Sequence, residues 1–114
     1  MSRPKKWEAE PGYESLVEVL RMAHDQAAYG KGKLRHANEG EAFSDQHIMQ
    51  IAHHHGPGHA TGQAEKKARE SNRLPPKAAV EELLGAIVYS AAAVIAINAI
   101  EKLSYIKESV SGSD

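Results

Sequence analysis

The chain has 114 residues, enough for one domain with a core of its own. Fourteen Lys and Arg against fifteen Asp and Glu leave a net charge of −1, which argues against binding bulk nucleic acid through positive charge. There is no cysteine, so disulfides, thiolate metal sites and cysteine nucleophiles are excluded, and a cytoplasmic protein is the default expectation.

Residues 1–12 read as a flexible N-terminal arm. Arg3, Lys5 and Lys6 lie among Pro4 and Pro11-Gly12, which break regular structure, and no apolar run follows them to make a secretory signal. Trp7 is the one residue of the arm expected to dock on something. A single helical domain is expected over 13–109. Its first helix runs from Tyr13 to Tyr29, because Leu16, Leu20, Ala23 and Ala27 recur at helical spacing and Gly30 supplies a stop. Glu14 falls in the first turn, where the helix dipole favours an acid. The stretch from Gly30 to Gly40 carries three glycines and reads as a loop.

Ser44 is expected to cap a second helix from Asp45 to His54, with Phe43 and Ile48 forming a hydrophobic staple and Ile48, Ile51 and Ala52 facing inward. Gly56-Pro57-Gly58 reads as a firm stop. A third helix is expected from His59 or Ala60 to Asn72, with Ala60, Ala64 and Ala68 as its only apolar stripe. Pro75-Pro76 separates it from a long final helix, Lys77 to Ser109, and residues 110–114 read as a disordered tail. No strand pattern and no internal repeat is present. The fold class expected is all-α, a small bundle of about four helices with one long apolar C-terminal helix.

Within that last helix, Leu83 to Ile100 carries no charge and no proline, the lower edge of what spans a bilayer at roughly 20 residues. Gly85, Tyr89, Ser90 and Asn98 dilute it, and no Lys/Arg cluster flanks it to set a topology, so a buried helix is the preferred reading and no membrane partner is expected. At 100° per residue, Leu83, Leu84, Ile87, Val88, Val94 and Ile95 form a bulky stripe, and Gly85, Tyr89, Ala92, Ala93 and Ala96 form a small one. The bulky stripe is expected to meet the first two helices. The small one then admits a close neighbour, predicting a homo-oligomer through Gly85, Ala92 and Ala96. The alternative is a monomer whose third helix covers the small face with its own alanines.

The leading candidate site is Tyr29, Gly30, Lys31, Gly32, Lys33, Arg35, His36 and Asn38. The glycines let backbone N–H groups turn toward an anion, and three cations follow with no intervening acid. Tyr29 or His36 offers a ring for stacking, and Asn38 both donates and accepts at a base edge. The spacing is not that of a P-loop, and the plain reading of the same residues is a solvated basic turn. A second basic group, Lys66, Lys67, Arg69 and Arg73, reads as a solvated face balanced by Glu65 and Glu70.

Two further sets carry metal chemistry in principle. His55 and His59, within His53-His54-His55-Gly56-Pro57-Gly58-His59, have a spacing seen in zinc sites, with His24, His36, His47, Glu39, Glu41 and Asp45 as further ligands. Against this, the Gly-Pro-Gly turn keeps the pair off a common helix face, and His55 is expected to be partly buried beside Ile48, Ile51 and Ala52. No cofactor is therefore expected. A metal-dependent nucleotide pyrophosphohydrolase would instead need Mg or Mn held by facing acids, for which Glu14, Glu18 and Glu82 are the candidates.

Three stretches, Tyr29-Gly-Lys-Gly-Lys-Leu-Arg-His-Ala-Asn38, Gly62-Gln-Ala-Glu-Lys-Lys-Ala68 and Glu82-Leu-Leu-Gly-Ala-Ile-Val-Tyr89, resemble small helical proteins encoded by bacteriophages. The glycine-lysine turn followed by Arg35-His36 is also similar to the phage dATP/dGTP diphosphohydrolase-like domain. The first resemblance implies an anti-defence viral protein in the host cytoplasm, in one form a sponge holding a nucleotide signal between subunits. The sequence reading is thus a non-catalytic helical homo-oligomer binding a small phosphate-bearing ligand, a nucleotide. The hydrolase is one alternative, and an inhibitor touching a host protein through the basic loop and Trp7 is the other.

Overall fold

The computed structural model describes residues 8–30, 42–43 and 46–110, with side chains of the last helix described as far as Lys102. Four helices occur in order: α1 Glu14–Tyr29, α2 His47–His55, α3 Pro57–Ser71 and α4 Pro76–Val110. No strand occurs among the described residues, and the fold is all-α.

Helix α1 starts where expected to within a residue. The Glu14 carboxylate accepts the Gly12 N–H at 3.0 Å, which gives an unpaired donor of the preceding turn a charged acceptor. At the other end the Gly30 N–H donates to the Gln26 carbonyl at 3.0 Å, and the helix goes no further.

Helix α2 begins two residues later than the pattern implied, with Gln46 rather than Ser44 preceding it; Ser44 and Asp45 lie outside the described residues. Gln46 is in extended backbone at φ −69° and is buried. Its own N–H donates to the Phe43 carbonyl at 3.1 Å. Phe43 packs against the cluster that contains Ile48, the contact a hydrophobic staple requires.

The Gly56-Pro57-Gly58 stretch stops α2, as expected, and also opens the next helix. Gly56 alone separates α2 from α3, and α3 starts at Pro57, two residues before the expected His59. Proline lacks only an N–H that the first helical turn leaves unpaired in any case, so it opens a helix as readily as it closes one. Gly56 turns the chain at φ 80°, ψ −178°, a region essentially reserved for glycine. Helix α3 closes with the Ser71 hydroxyl donating to the Ala68 carbonyl at 2.6 Å. The Ala79 N–H then donates to the Pro75 carbonyl at 2.8 Å as α4 begins.

Helix α4 has 35 residues, so it is about 52 Å long and every other helix packs along part of it. The most extensive contact is with α3. The core joins Ile48, Met49 and Ala52 of α2, Ala60 of α3, and Ala92, Ala93 and Ala96 of α4, with Val88 and Tyr89 against it. On the other flank, Ala23 and Ala27 of α1 are buried, as is Leu84 of α4.

The small face of α4 is therefore the one its own chain covers, while the bulky stripe is divided, with Leu84 buried and Val88 against the core but Leu83, Val94 and Ile95 open. Ala92 and Ala96 are 0% and 1% exposed within a single chain, and Gly85 lies under the Lys67 side chain of α3. An interface between copies through Gly85, Ala92 and Ala96 is not available, because α3 and α2 already occupy it. Much of the bulky side is open instead: Leu83 is 44% exposed and Val94 56%. The physical reason lies in α3. A helix whose apolar stripe is alanine buries most by coming close to an equally small surface.

Candidate functional site

Of the candidate loop, Tyr29 and Gly30 belong to the described residues; Lys31, Gly32, Lys33, Arg35, His36 and Asn38 lie outside them. The C-terminal half of α1 that leads into the loop is held on α4. Ala23 and Ala27 supply the buried contacts, and Gln26 Nε2 donates to the Glu81 carbonyl at 3.3 Å. One turn beyond Gln26, the Tyr29 ring projects from the helix end, 77% exposed. Its one described ring neighbour is His24, edge-on at 6.2 Å, whose Nδ1 lies 2.9 Å from Asp25 Oδ1. A rigid helix end thus presents an open aromatic ring immediately before Gly-Lys-Gly-Lys-Leu-Arg-His. The same position is the negative end of the α1 dipole, so Lys31 and Lys33 also suit it simply as counter-charges.

The second basic group divides. Arg69 Nη2 pairs with Glu65 Oε2 at 2.7 Å, one helical turn apart, with both side chains exposed. That is the solvated pairing expected of the outer face of α3. Lys67 behaves otherwise. Its amine lies 3.6 Å from Glu82 Oε1 and 5.9 Å from the centre of the Tyr89 ring, and its side chain is only 15% exposed. Gly85 leaves room for the Lys67 stem to lie flat across α4, so this cation ties α3 to α4 at the level where α1 is held.

The acids required by a hydrolase are not brought together. Glu14 and Glu18 are on the first turns of α1, whereas Gln26 is the residue of α1 that meets Glu81. At roughly 1.5 Å per residue, Glu18 and Glu14 stand about 12 and about 18 Å further along the helix. Glu14 accepts from Gly12, and Glu82 faces Lys67.

The histidines are likewise spread out. His55, expected to be half buried, is exposed, as are His53, His54 and His59. The His54 and His55 rings meet edge to face at 4.6 Å. His55 ends α2 and His59 lies in the first turn of α3, on either side of the Gly56 hinge. Among the described residues, no three His, Asp or Glu side chains are grouped to hold a metal ion.

What sequence reasoning missed is the open apolar surface. On α1, Leu16 is 53% exposed and Val19, Leu20 and Met22 are each 40% exposed; on α4, Val80, Val94, Ile97 and Ile100 are open as well. The signal was present in the bulky stripe of α4, which was assigned to the chain's own interior. Comparison with family models, with curated proteins and with solved structures found no match for this chain.

Proposed function

We propose that this chain is the protomer of a non-catalytic helical homo-oligomer that binds a small phosphate-bearing ligand, a nucleotide, through residues 29–38. The observation that carries the reading is the Tyr29 ring. It is 77% exposed at the end of a helix anchored on α4, directly before the Gly30-Lys31-Gly32-Lys33 run and Arg35. An aromatic ring on a fixed support offers a base a stacking surface, and the following cations and glycine N–H groups suit the phosphate. The hydrolase alternative is disfavoured by the spacing of Glu14 and Glu18 from Glu82 along α1. A role as a phage anti-defence sponge in the host cytoplasm follows from the resemblance noted above and rests on it alone.

The test is thermal-shift screening against mono-, di- and cyclic nucleotides, with inorganic phosphate as the small-anion control. Binding raises the melting temperature with one or more nucleotides, and K33A together with R35A removes the shift while leaving the unliganded melting temperature in place. No shift with any nucleotide, or a shift that survives the double substitution, overturns the reading.

A further inference from the structure

Ten large apolar side chains of α1 and α4, Leu16 and Val94 among them, stand between 39% and 56% exposed. Their open surface, spread over more than one face of the two helices, is on the order of 800 Å², and a standard-size protein interface takes about that much from one partner. On α4 the exposed residues have a pattern. Exposed Val80, Leu83, Ser90, Val94 and Ile97, with half-buried Ile87 among them, fall within an arc of about 100° at 100° per residue, while exposed Ile95 and Ile100 lie to either side of it. In heptad terms Val80, Ile87 and Val94 take one core position, and Leu83, Ser90 and Ile97 take the other. Such a seam, β-branched at the first position, is self-complementary and suits two-stranded packing.

Helix α1 points the same way. Leu16, Val19 and Leu20 lie on the side of the helix that carries Ala23 and Ala27, yet the alanines are buried and the larger residues are not. The packing stripe of α1 runs on past the part its own chain covers.

We infer that a second copy of this chain covers this surface, with the Val80–Ile97 seam of α4 packed along the same seam of its partner. This rests on the homo-oligomer part of the proposed function and names its face. The segments outside the described helices have little with which to cover the seam: residues 1–7 and 31–41 hold Met1, Trp7 and Leu34 as their large apolar side chains, and Leu103, Tyr105, Ile106 and Val110 belong to the end of α4 itself. A lipid bilayer fits worse than a second copy. Residues 76–102 are long and apolar enough to cross one, and only 28% of that apolar window is buried. But α3, carrying Glu65, Lys66, Arg69 and Glu70, is strapped along the same helix, and the Lys67–Glu82 pair joins the two. Inserting α4 means tearing α3 away or taking its charges into hydrocarbon.

The test uses the full chain at micromolar concentration without detergent, by native mass spectrometry and light scattering. Wild type is expected as a dimer or a multiple of it. V94E with I97E weakens association by at least about 100-fold, leaving a monomer with its helical circular dichroism intact. Should that variant fail to fold, S90C decides. The chain has no native cysteine, so oxidation cross-links S90C at the seam and leaves R69C, on the outer face of α3, uncross-linked. A monomeric wild type overturns both this seam and the oligomer reading. An oligomer that keeps its mass in V94E/I97E and does not cross-link through S90C overturns the seam alone. Recovery of wild type only with phosphatidylcholine vesicles or detergent overturns it in favour of a membrane. The nucleotide thermal shift is read separately, so failure of ligand binding is distinguishable from failure of the seam.

Discussion

Substituting Gly85 by alanine sets two opposing effects against each other where the Lys67 side chain of α3 lies across α4. Glycine inside a helix costs about 1 kcal/mol relative to alanine, and Gly85 lies well inside α4. Against this gain, an added Cβ would meet Lys67 Cδ at 3.1 Å, Cε at 3.3 Å and Nζ at 3.5 Å. These atoms are the far end of a flexible side chain and can withdraw by a few tenths of an ångström. Withdrawal loosens the 3.6 Å contact with Glu82 and the position over Tyr89. Pairs of this kind are worth roughly 0.5 to 1 kcal/mol, and only part of that is lost. G85A is therefore expected to stabilise the fold by about 0.5 kcal/mol, a rise of about 2–4 °C in melting temperature for a domain of this size. In a K67A background the obstacle is gone and the gain should approach the full 1 kcal/mol or so, a coupling that a double-mutant cycle reads directly. Urea and thermal unfolding followed by circular dichroism give the numbers. A loss of more than about 1 kcal/mol for G85A, undiminished by K67A, would refute the reasoning, because the added methyl would then be meeting α3 backbone instead of a lysine stem.

Two further substitutions probe the parts of the fold that carry α2. Met49 is the largest fully buried side chain, at 0% exposure, so M49A is expected to cost about 2–5 kcal/mol in urea unfolding. A cost below about 1 kcal/mol would mean that α2 does not pack on α3 and α4 as described. G56A places a side chain at φ 80°, ψ −178° with open space around it, so any cost comes from backbone strain and not from a clash. About 1–3 kcal/mol of destabilisation is expected, and an unchanged stability would show that the hinge adopts another backbone conformation.

The helices of this chain were legible because their punctuation is local. Gly30, Gly56 and Pro76 set element ends by chemistry that acts within a turn, and Leu16, Leu20, Ala23 and Ala27 mark a helix by period alone. The stop at Gly56 is legible, but the start of α3 at Pro57 is not, because a proline that closes one helix equally suits the first turn of the next. The use of the α4 faces was the larger error, and it has a single source. The bulky stripe was assigned inward on the premise that the largest apolar side chains are buried first. Which face is buried depends on the partner, and α3 offers Ala60, which is 1% exposed, with half-buried Ala64 behind it, while Ala68, the third alanine of the expected stripe, is exposed. That partner was readable in the sequence and was carried as the alternative. Of the candidate site, sequence reasoning placed Tyr29 at a helix end, where it stands; the exposure of its ring and the anchoring of its helix through Gln26 depend on contacts with residues far along the chain.

The use of the α4 faces also bears on how folding and assembly relate. The single chain closes its core on alanines, Met49 and Ile48, and holds its large aliphatic side chains outward. Alanine contributes little transfer free energy per residue, whereas each half-open Leu, Ile or Val forgoes about 1–2 kcal/mol of burial. Nine such side chains, with Met22, therefore represent a driving force comparable to the whole stability of an ordinary domain, about 5–15 kcal/mol. A second copy seated on that surface, as inferred above, would place the strongest hydrophobic interactions between copies and leave within each chain the close, weakly driven contacts that shape the surface for them.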